Sequence, residues 1–213
     1  MANNVEIEFF YDCSSPWTYF AFTRITPLME ALALPIRWRP ILVGGVFNAV
    51  NQQVYASRED MFTKPENKRR MAYYLKDLSD WAALCGVTAK WPEGHPINSV
   101  KAMRGAFFAE EQGLLLPYSR AVFATYWGGA NPDIASDTVL LEICQQVGLD
   151  AEGFFNAIAN PAYKELLRHN TDELIARGGF GSPTIFINGE DMYFGNDRLP
   201  LVEHKLRQLL QAS

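Results

Sequence analysis

Apolar and polar positions change period several times along the chain. Val5–Tyr11 (VEIEFFY) predicts a strand that ends in Asp12-Cys13-Ser14-Ser15-Pro16. Trp17–Leu34 then reads as a helix. Ser15 is a natural N-cap, and Pro16 fits the first helical position, where its missing N–H would be unpaired anyway. Pro35–Leu42 (PIRWRPIL) is the next extended segment, so the chain opens as a βαβ unit. The middle is helical. Lys68–Gly86 places Met71, Tyr74, Leu75, Leu78, Trp81 and Cys85 at helical spacing. Ser99–Gly113 carries Val100, Met103 and Phe107 on one face, and Arg120–Trp127 is a further helix. Ser136–Val147 is bounded by Ser136 as a cap and Gly148 as a stop. Ala151–Ala159 and Pro161–Arg177 lead to Gly178-Gly179. The end returns to β: Thr184–Asn188, a turn at Gly189-Glu190 and Met192–Phe194 predict a hairpin. Leu199–Leu210 predicts a last helix, with Leu199, Val202, Leu206 and Leu209 on its buried face. The order is βαβ, helices over 44–179, then ββα, which is an α/β pattern.

Composition narrows the function. With 213 residues, 48% hydrophobic and 13% aromatic, the chain can fill a core and is not a disordered polymer. A net charge of −5 gives no basic footprint for nucleic acid. A small anionic ligand would need a local positive pocket. No run of about 18 apolar residues predicts a membrane span. Met1–Asp12 lacks a basic start, and Glu6, Glu8 and Asp12 interrupt it, so it does not read as a signal peptide and a cytoplasmic address is expected. Cys13, Cys85 and Cys144 form no CxxC and no metal spacing, which fits a reducing compartment and no metal site.

Three segments are candidates for chemistry, each with a plainer alternative. At Asp12–Tyr19 (DCSSPWTY) a helix N-terminus presents free N–H groups and partial positive charge, which stabilise thiolates and other anions. The alternative is that Ser15 only caps its own helix. At Gly179–Thr184 (GFGSPT) a cis Ser182-Pro183 bond would turn the Ser182 N–H and C=O outward to an extended ligand, whereas a trans proline opening a strand is equally ordinary. At Gly195–Arg198 (GNDR), Asn196 or Asp197 could cap the last helix. Alternatively, Asp197 could take a ligand's ammonium while Arg198 or the helix start takes its carboxylate. The run Lys64, Lys68, Arg69, Arg70 reads as a solvated face, or one member pairs with a ligand carboxylate. Trp17, Phe47 and Trp91 are core residues or line a pocket for a planar substrate. Gly44-Gly45 and Gly128-Gly129 read as loop glycines, and His95, His169 and His204 as structural. Cys85 and Cys144 read as inert thiols.

This order of elements resembles the thioredoxin superfamily in its DsbA-like form. That resemblance divides the chain into a thioredoxin-like part, 1–43 plus 180–213, and an all-helical insertion, 44–179. Redox members carry Cys-Pro-x-Cys where this chain has Ser15-Pro16-Trp17-Thr18, and without two thiols dithiol exchange cannot run. The blocks FFYDCSSPWTYFA, HPIN at His95–Asn98, and GFGSPTIFINGEDMYFGNDRL together resemble the 2-hydroxychromene-2-carboxylate isomerase family, close to kappa-class glutathione transferases. The resemblance implies glutathione as cofactor. It implies that Ser15 holds the sulfur, that Ser182 and cis Pro183 pair with the backbone of glutathione's cysteine, and that Asn196, Asp197 and Arg198 hold its γ-glutamyl end. It matches Asn51, Lys64 and Asn98 to polar residues of the glutathione and substrate pockets. It also implies a homodimer and a small aromatic substrate isomerised by reversible thiolate addition and elimination. A transferase or peroxidase that consumes glutathione, a redox protein using Cys13 and a thiol-peptide binder without catalysis are the competing expectations. The chain departs from the family at Cys13, where an aromatic or aliphatic residue is usual. That thiol would either form a mixed disulfide with glutathione or, as favoured here, point into the core. It departs again at Ser182, where Val is common.

Overall fold

The computed structural model describes residues 5–53, 57, 60, 64–130 and 132–212. Four strands, β1 Ile7–Tyr11, β2 Arg37–Pro40, β3 Thr184–Ile187 and β4 Asp191–Phe194, form one sheet in the order β2-β1-β3-β4. β1 pairs parallel with β2, through Phe9 opposite Trp38, and antiparallel with β3, through Phe9 opposite Ile185. The parallel pair requires a crossover, and α1 (Pro16–Leu32) supplies it. The β3–β4 hairpin turns through Asn188 and Gly189, both at positive φ (51° and 79°), one residue earlier than the pattern predicts.

Helices whose bounds lie within the described residues after β2 are α2 Val43–Val50, α3 Lys68–Cys85, α4 Val100–Glu111, α5 Leu115–Trp127, α6 Asp137–Val147, α7 Ala151–Ala159 and α8 Pro161–Ala176. After β4 comes α9 Leu199–Gln211. Two elements differ from the sequence expectation. Gly44-Gly45 lies inside α2 rather than in a loop. Its first N–H, Val43, donates to the Asp12 carboxylate at 2.8 Å, and a Cβ on Gly45 would come within 3.3 Å of Thr171 on α8. Tertiary anchoring and close helix approach therefore override the helix cost of two glycines. α5 begins at Leu115, not Arg120, because Pro117 falls in its first turn, where proline is tolerated. Ser136 precedes α6 with extended backbone but makes no side-chain cap, while Gly148 does end that helix at φ 73°.

β1 is buried on both faces, and each face has its own layer. Ile7, Phe9 and Tyr11 join a hydrophobic cluster that runs through Phe22 and Ile25 of α1 into Phe107, Phe123 and Trp127 of the helical region. Tyr19 and Phe123 stack at 5.1 Å and 7° across that boundary, so the sheet and the helical segment share one core. On the other face Phe10 packs with Ile41, Val46, Leu174 and Phe186 under α2 and α8. Glu8 sits on this face, buried, between Arg39 (3.2 Å) and Arg177 (2.6 Å), and Glu173 of α8 pairs with both arginines. α8 is tied to the sheet by Asn170 Nδ2 donating to Pro40 C=O at 3.0 Å.

Candidate active site

The site grows from the end of β1. Ser15 has extended backbone (φ −108°, ψ 123°), and its Oγ accepts the Thr18 N–H at 3.3 Å, so it caps α1, with Pro16 following as expected. Its own O–H donates to the carbonyl of Ser182 at 3.2 Å. The Ser182-Pro183 peptide is cis. Ser182 Oγ accepts the Asp12 N–H at 3.0 Å and shares a hydrogen bond with Thr18 Oγ1 at 2.8 Å. The start of α1 and the approach to β3 are thus joined by three hydroxyls, and no cysteine stands at the Ser15 or Thr18 position. The Ser182 C=O is accordingly not idle, as a purely ligand-facing role would have it. It holds the Ser15 proton.

Asp12 is the residue that sequence reasoning passed over. It is 1% exposed, and its carboxylate accepts from Ser14 N–H (2.9 Å), Val43 N–H (2.8 Å) and Ser99 Oγ (3.1 Å). Burial pushes its carboxyl above the ordinary value, while the hydrogen bonds from Ser14, Val43 and Ser99 pull the other way. One carboxylate therefore anchors the start of α2 and the residue before α4. Between those two helix starts lies a cavity of about 190 Å³, lined by Asp12, Ser14, Val43, Phe47, His95 and Asn98 among others. Its composition is mixed, with apolar walls and a few convergent polar groups, which suits a small organic substrate.

The structure distributes the expected site residues unevenly. Phe47 and Asn98 line the cavity, and Asn98 Oδ1 also accepts the Val100 N–H at 3.0 Å at the start of α4. Ser14 reaches the cavity, while Ser15 is next to it on the side of Ser182. Trp17 faces elsewhere, packing edge-on against Phe20 (5.9 Å) and Tyr74 (5.5 Å) between α1 and α3. Asn51 ends α2, its N–H donating to Phe47 C=O at 3.0 Å. Lys64 is exposed and pairs with Asp60 at 2.8 Å, and much of the stretch between Asn51 and Lys64 lies outside the described residues. Asn196 is buried, and its C=O and Oδ1 both accept from Arg24 Nη1 (2.9 and 3.4 Å), so its side chain braces α1 instead of capping α9. Asp197 and Arg198 are exposed, paired at 2.9 Å, in a 3-10 turn that leads into α9. Gly195 at φ 101° opens that turn, and the Asp197 carboxylate lies 2.7 Å from where a Cβ would be.

Cys13 points into the core. It is 2% exposed, its N–H donates to Met103 Sδ at 3.4 Å and its C=O accepts from Trp127 Nε1 at 2.9 Å. Burial, then the Asp12 charge, pushes its thiol well above the usual range, the reverse of what a reactive cysteine needs. Among the described residues no group of three or more His, Cys, Asp or Glu could hold a metal, and no helix is long and apolar enough to cross a membrane.

The DSBA-like thioredoxin domain family matches residues 6–207. The 2-hydroxychromene-2-carboxylate isomerase of Pseudomonas putida is 30% identical, over 97% of this chain and 97% of its own. That of Pseudomonas sp. (strain C18) is 31% identical, over 94% and 89%. Human glutathione S-transferase kappa 1 is 26% identical, over 94% of this chain and 90% of its own. Among solved structures, 2-hydroxychromene-2-carboxylate isomerase superposes with a TM-score of 0.79 at 27% identity, covering 97% of this chain and 96% of that one. A hydroxyl-lined helix start facing a cis proline is thus found in a chain whose full-length relatives are named as isomerases and kappa-class transferases. The chain belongs to the DSBA-like thioredoxin domain family and, within it, to the 2-hydroxychromene-2-carboxylate isomerase family.

Proposed function

We propose that this protein is a glutathione-dependent isomerase acting on 2-hydroxychromene-2-carboxylate or a closely related aromatic catabolite. The observation that carries the reading is Ser15, a capping hydroxyl at a helix N-terminus opposite Ser182-Pro183, in the place where redox relatives of this fold need thiols. The donors fit the tripeptide. Ser15 O–H and the first N–H groups of α1 suit its sulfur, the Ser182 backbone suits its cysteine, and Asp197 and Arg198 suit the amino and carboxylate groups of its γ-glutamyl end. Asn196 contributes by fixing that turn against Arg24. Asn51 and Lys64 are assigned to the rim of the tripeptide's site, and Asn98 and Phe47 to the substrate. Trp17 acts on the substrate only through the packing of α1 on α3.

A free thiol with a pKa of about 8.5 is mostly protonated at neutral pH. The Ser15 hydroxyl, turned from the Ser182 carbonyl towards sulfur, and the α1 N-terminus favour the anion. Bound glutathione supplies a thiolate that adds reversibly to a conjugated carbon, so that the former double bond rotates before elimination restores the thiol. Phe47 and Val43 exclude water on one side of the cavity, and Asn98 orients the substrate's polar end. The same reading places the protein in the cytoplasm as a homodimer. The test is to follow isomerisation while counting glutathione. Turnover that requires glutathione and leaves its amount unchanged is expected. Stoichiometric consumption would instead support a kappa-like transferase, the reading favoured by the 26% identical human relative. Turnover without any thiol would refute both.

A further inference from the structure

We propose that His95 is a further catalytic residue, the group that moves a proton between the two oxygens of the substrate's hemiketal carbon when the chromene ring opens and closes. The inference builds on the isomerase reading, but the step it concerns needs no glutathione.

His95 lines the cavity together with Asp12, Ser14 and Asn98. It is half-buried, and its ring is fixed from several sides. Nδ1 shares a hydrogen bond with Tyr126 Oη at 2.8 Å. Trp91 packs edge-on at 4.6 Å, and Trp127 lies tilted at 5.6 Å. Tyr126 itself is 2% exposed, and burial, then the charges of Cys13, Asp12 and Asp133, pushes its phenol above the ordinary value, so it stays protonated. A neutral phenol can donate to Nδ1 or accept from an Nδ1–H, because its hydroxyl rotates. It therefore supports the imidazole both as base and as acid at Nε2, the nitrogen the proposal assigns to the ligand. Two indole rings and a phenol bond are more than a solvent-facing loop histidine needs.

The chemistry follows from the substrate class. A 2-hydroxychromene carries a hydroxyl and a ring oxygen on one carbon. Opening breaks the carbon–ring oxygen bond. The hydroxyl proton leaves to Nε2, its oxygen lone pair forms the carbonyl, and the departing phenoxide takes a proton from Nε2. Atoms and charge balance, and nothing is oxidised. Because both oxygens are bonded to the same carbon, one nitrogen can serve both transfers. Only the opened form has an acyclic double bond that can rotate, so this step must precede isomerisation.

The test separates the two steps. The saturated analogue 2-hydroxychromane-2-carboxylate opens and closes but has no double bond to isomerise. Its exchange is followed by NMR with the wild-type protein and no glutathione. The protein is expected to accelerate exchange over buffer, and H95Q to lose about 100-fold or more of that acceleration, the usual weight of a positioned acid–base group. Y126F, which keeps the imidazole but removes the hydrogen bond to its Nδ1, should lose less. Separately, the open-chain cis keto acid with its phenol methylated cannot close. On that substrate with glutathione, H95Q should lose far less rate than it loses in ring exchange, and an unchanged thermal unfolding transition shows that the variant is folded. Exchange by H95Q equal to wild type, or wild-type exchange no faster than buffer, overturns the role of His95. If exchange is accelerated by the wild type and lost in H95Q while neither protein isomerises the methylated substrate, the isomerase reading fails and the His95 inference stands.

Discussion

Ser15→Ala separates what the hydroxyl does for the fold from what it does for the reaction. In the fold, Oγ makes two bonds, accepting from Thr18 N–H at 3.3 Å and donating to Ser182 C=O at 3.2 Å. Loss of an N-cap costs about 1 kcal/mol, and a carbonyl left without its buried donor costs about another 1–2 kcal/mol. Against a typical stability of about 5–15 kcal/mol, the variant should remain folded. For the reaction, losing a donor aimed at a developing anion costs about 10²–10³-fold in turnover. Ser15→Gly sharpens the comparison, because glycine replaces a cap at a cost of only about a few tenths of a kcal/mol. Both variants should lose activity alike while the alanine variant loses more stability. The assays are denaturant unfolding, turnover with saturating glutathione, and ultraviolet absorbance of the bound thiolate. Turnover of Ser15→Ala within about two-fold of wild type would refute the assignment, since that corresponds to under about 0.5 kcal/mol of transition-state stabilisation.

Asp12→Asn should destabilise the protein by about 2–3 kcal/mol, because a side-chain amide cannot accept from Ser14, Val43 and Ser99 together. Since burial raises the carboxyl above its unfolded value, the folded state binds the extra proton. Wild-type stability should therefore fall as pH rises from the ordinary carboxylate value to the raised one, and Asp12→Asn should flatten that slope in pH-dependent unfolding. Glu8→Ala leaves Arg39, itself 4% exposed, and Arg177 with Glu173 alone. A loss of about 3 kcal/mol is expected, at the low end for a broken buried pair, and a loss too small to measure in urea would mean the network is dispensable. Cys13→Ala should cost about 1 kcal/mol and keep full glutathione-dependent turnover. If turnover vanished while the protein stayed folded, the thiol would belong in the mechanism after all.

The fold was legible wherever local chemistry and tertiary packing agree. Ser15-Pro16 announces the start of α1, Gly148 stops α6, and the extended segments Thr184–Asn188 and Met192–Phe194 around Gly189-Glu190 mark the hairpin. α2 was not legible, because what holds it is a carboxylate 31 positions earlier in the chain, and glycines at 44 and 45 point locally to a loop. The same distance effect hides the site. Ser15 and Ser182 could be singled out from motifs, yet their mutual bond joins residues 167 positions apart. Asp12 gave no local sign of its role, since its partners Val43 and Ser99 lie 31 and 87 positions away. The catalytic role proposed for His95 has no local signal either, and its spacing reads only as structural. Its meaning depends on Tyr126, which no spacing rule connects to it.

The shared anchor at Asp12 divides the cavity's lining into residues that hold its frame and residues that do not. What fixes the distance between its two walls is a single buried carboxylate gripped by the Val43 N–H on one side and the Ser99 hydroxyl on the other, whereas what a guest touches includes Phe47, Asn98 and His95. Apolar linings such as Phe47 can be exchanged without loosening the frame, so descendants of this chain that keep His95 could drift from one aromatic acid to another by changing a handful of side chains. A library randomised at the lining with Asp12 retained should stay folded far more often than one randomised at Asp12 and Ser99 with the lining kept.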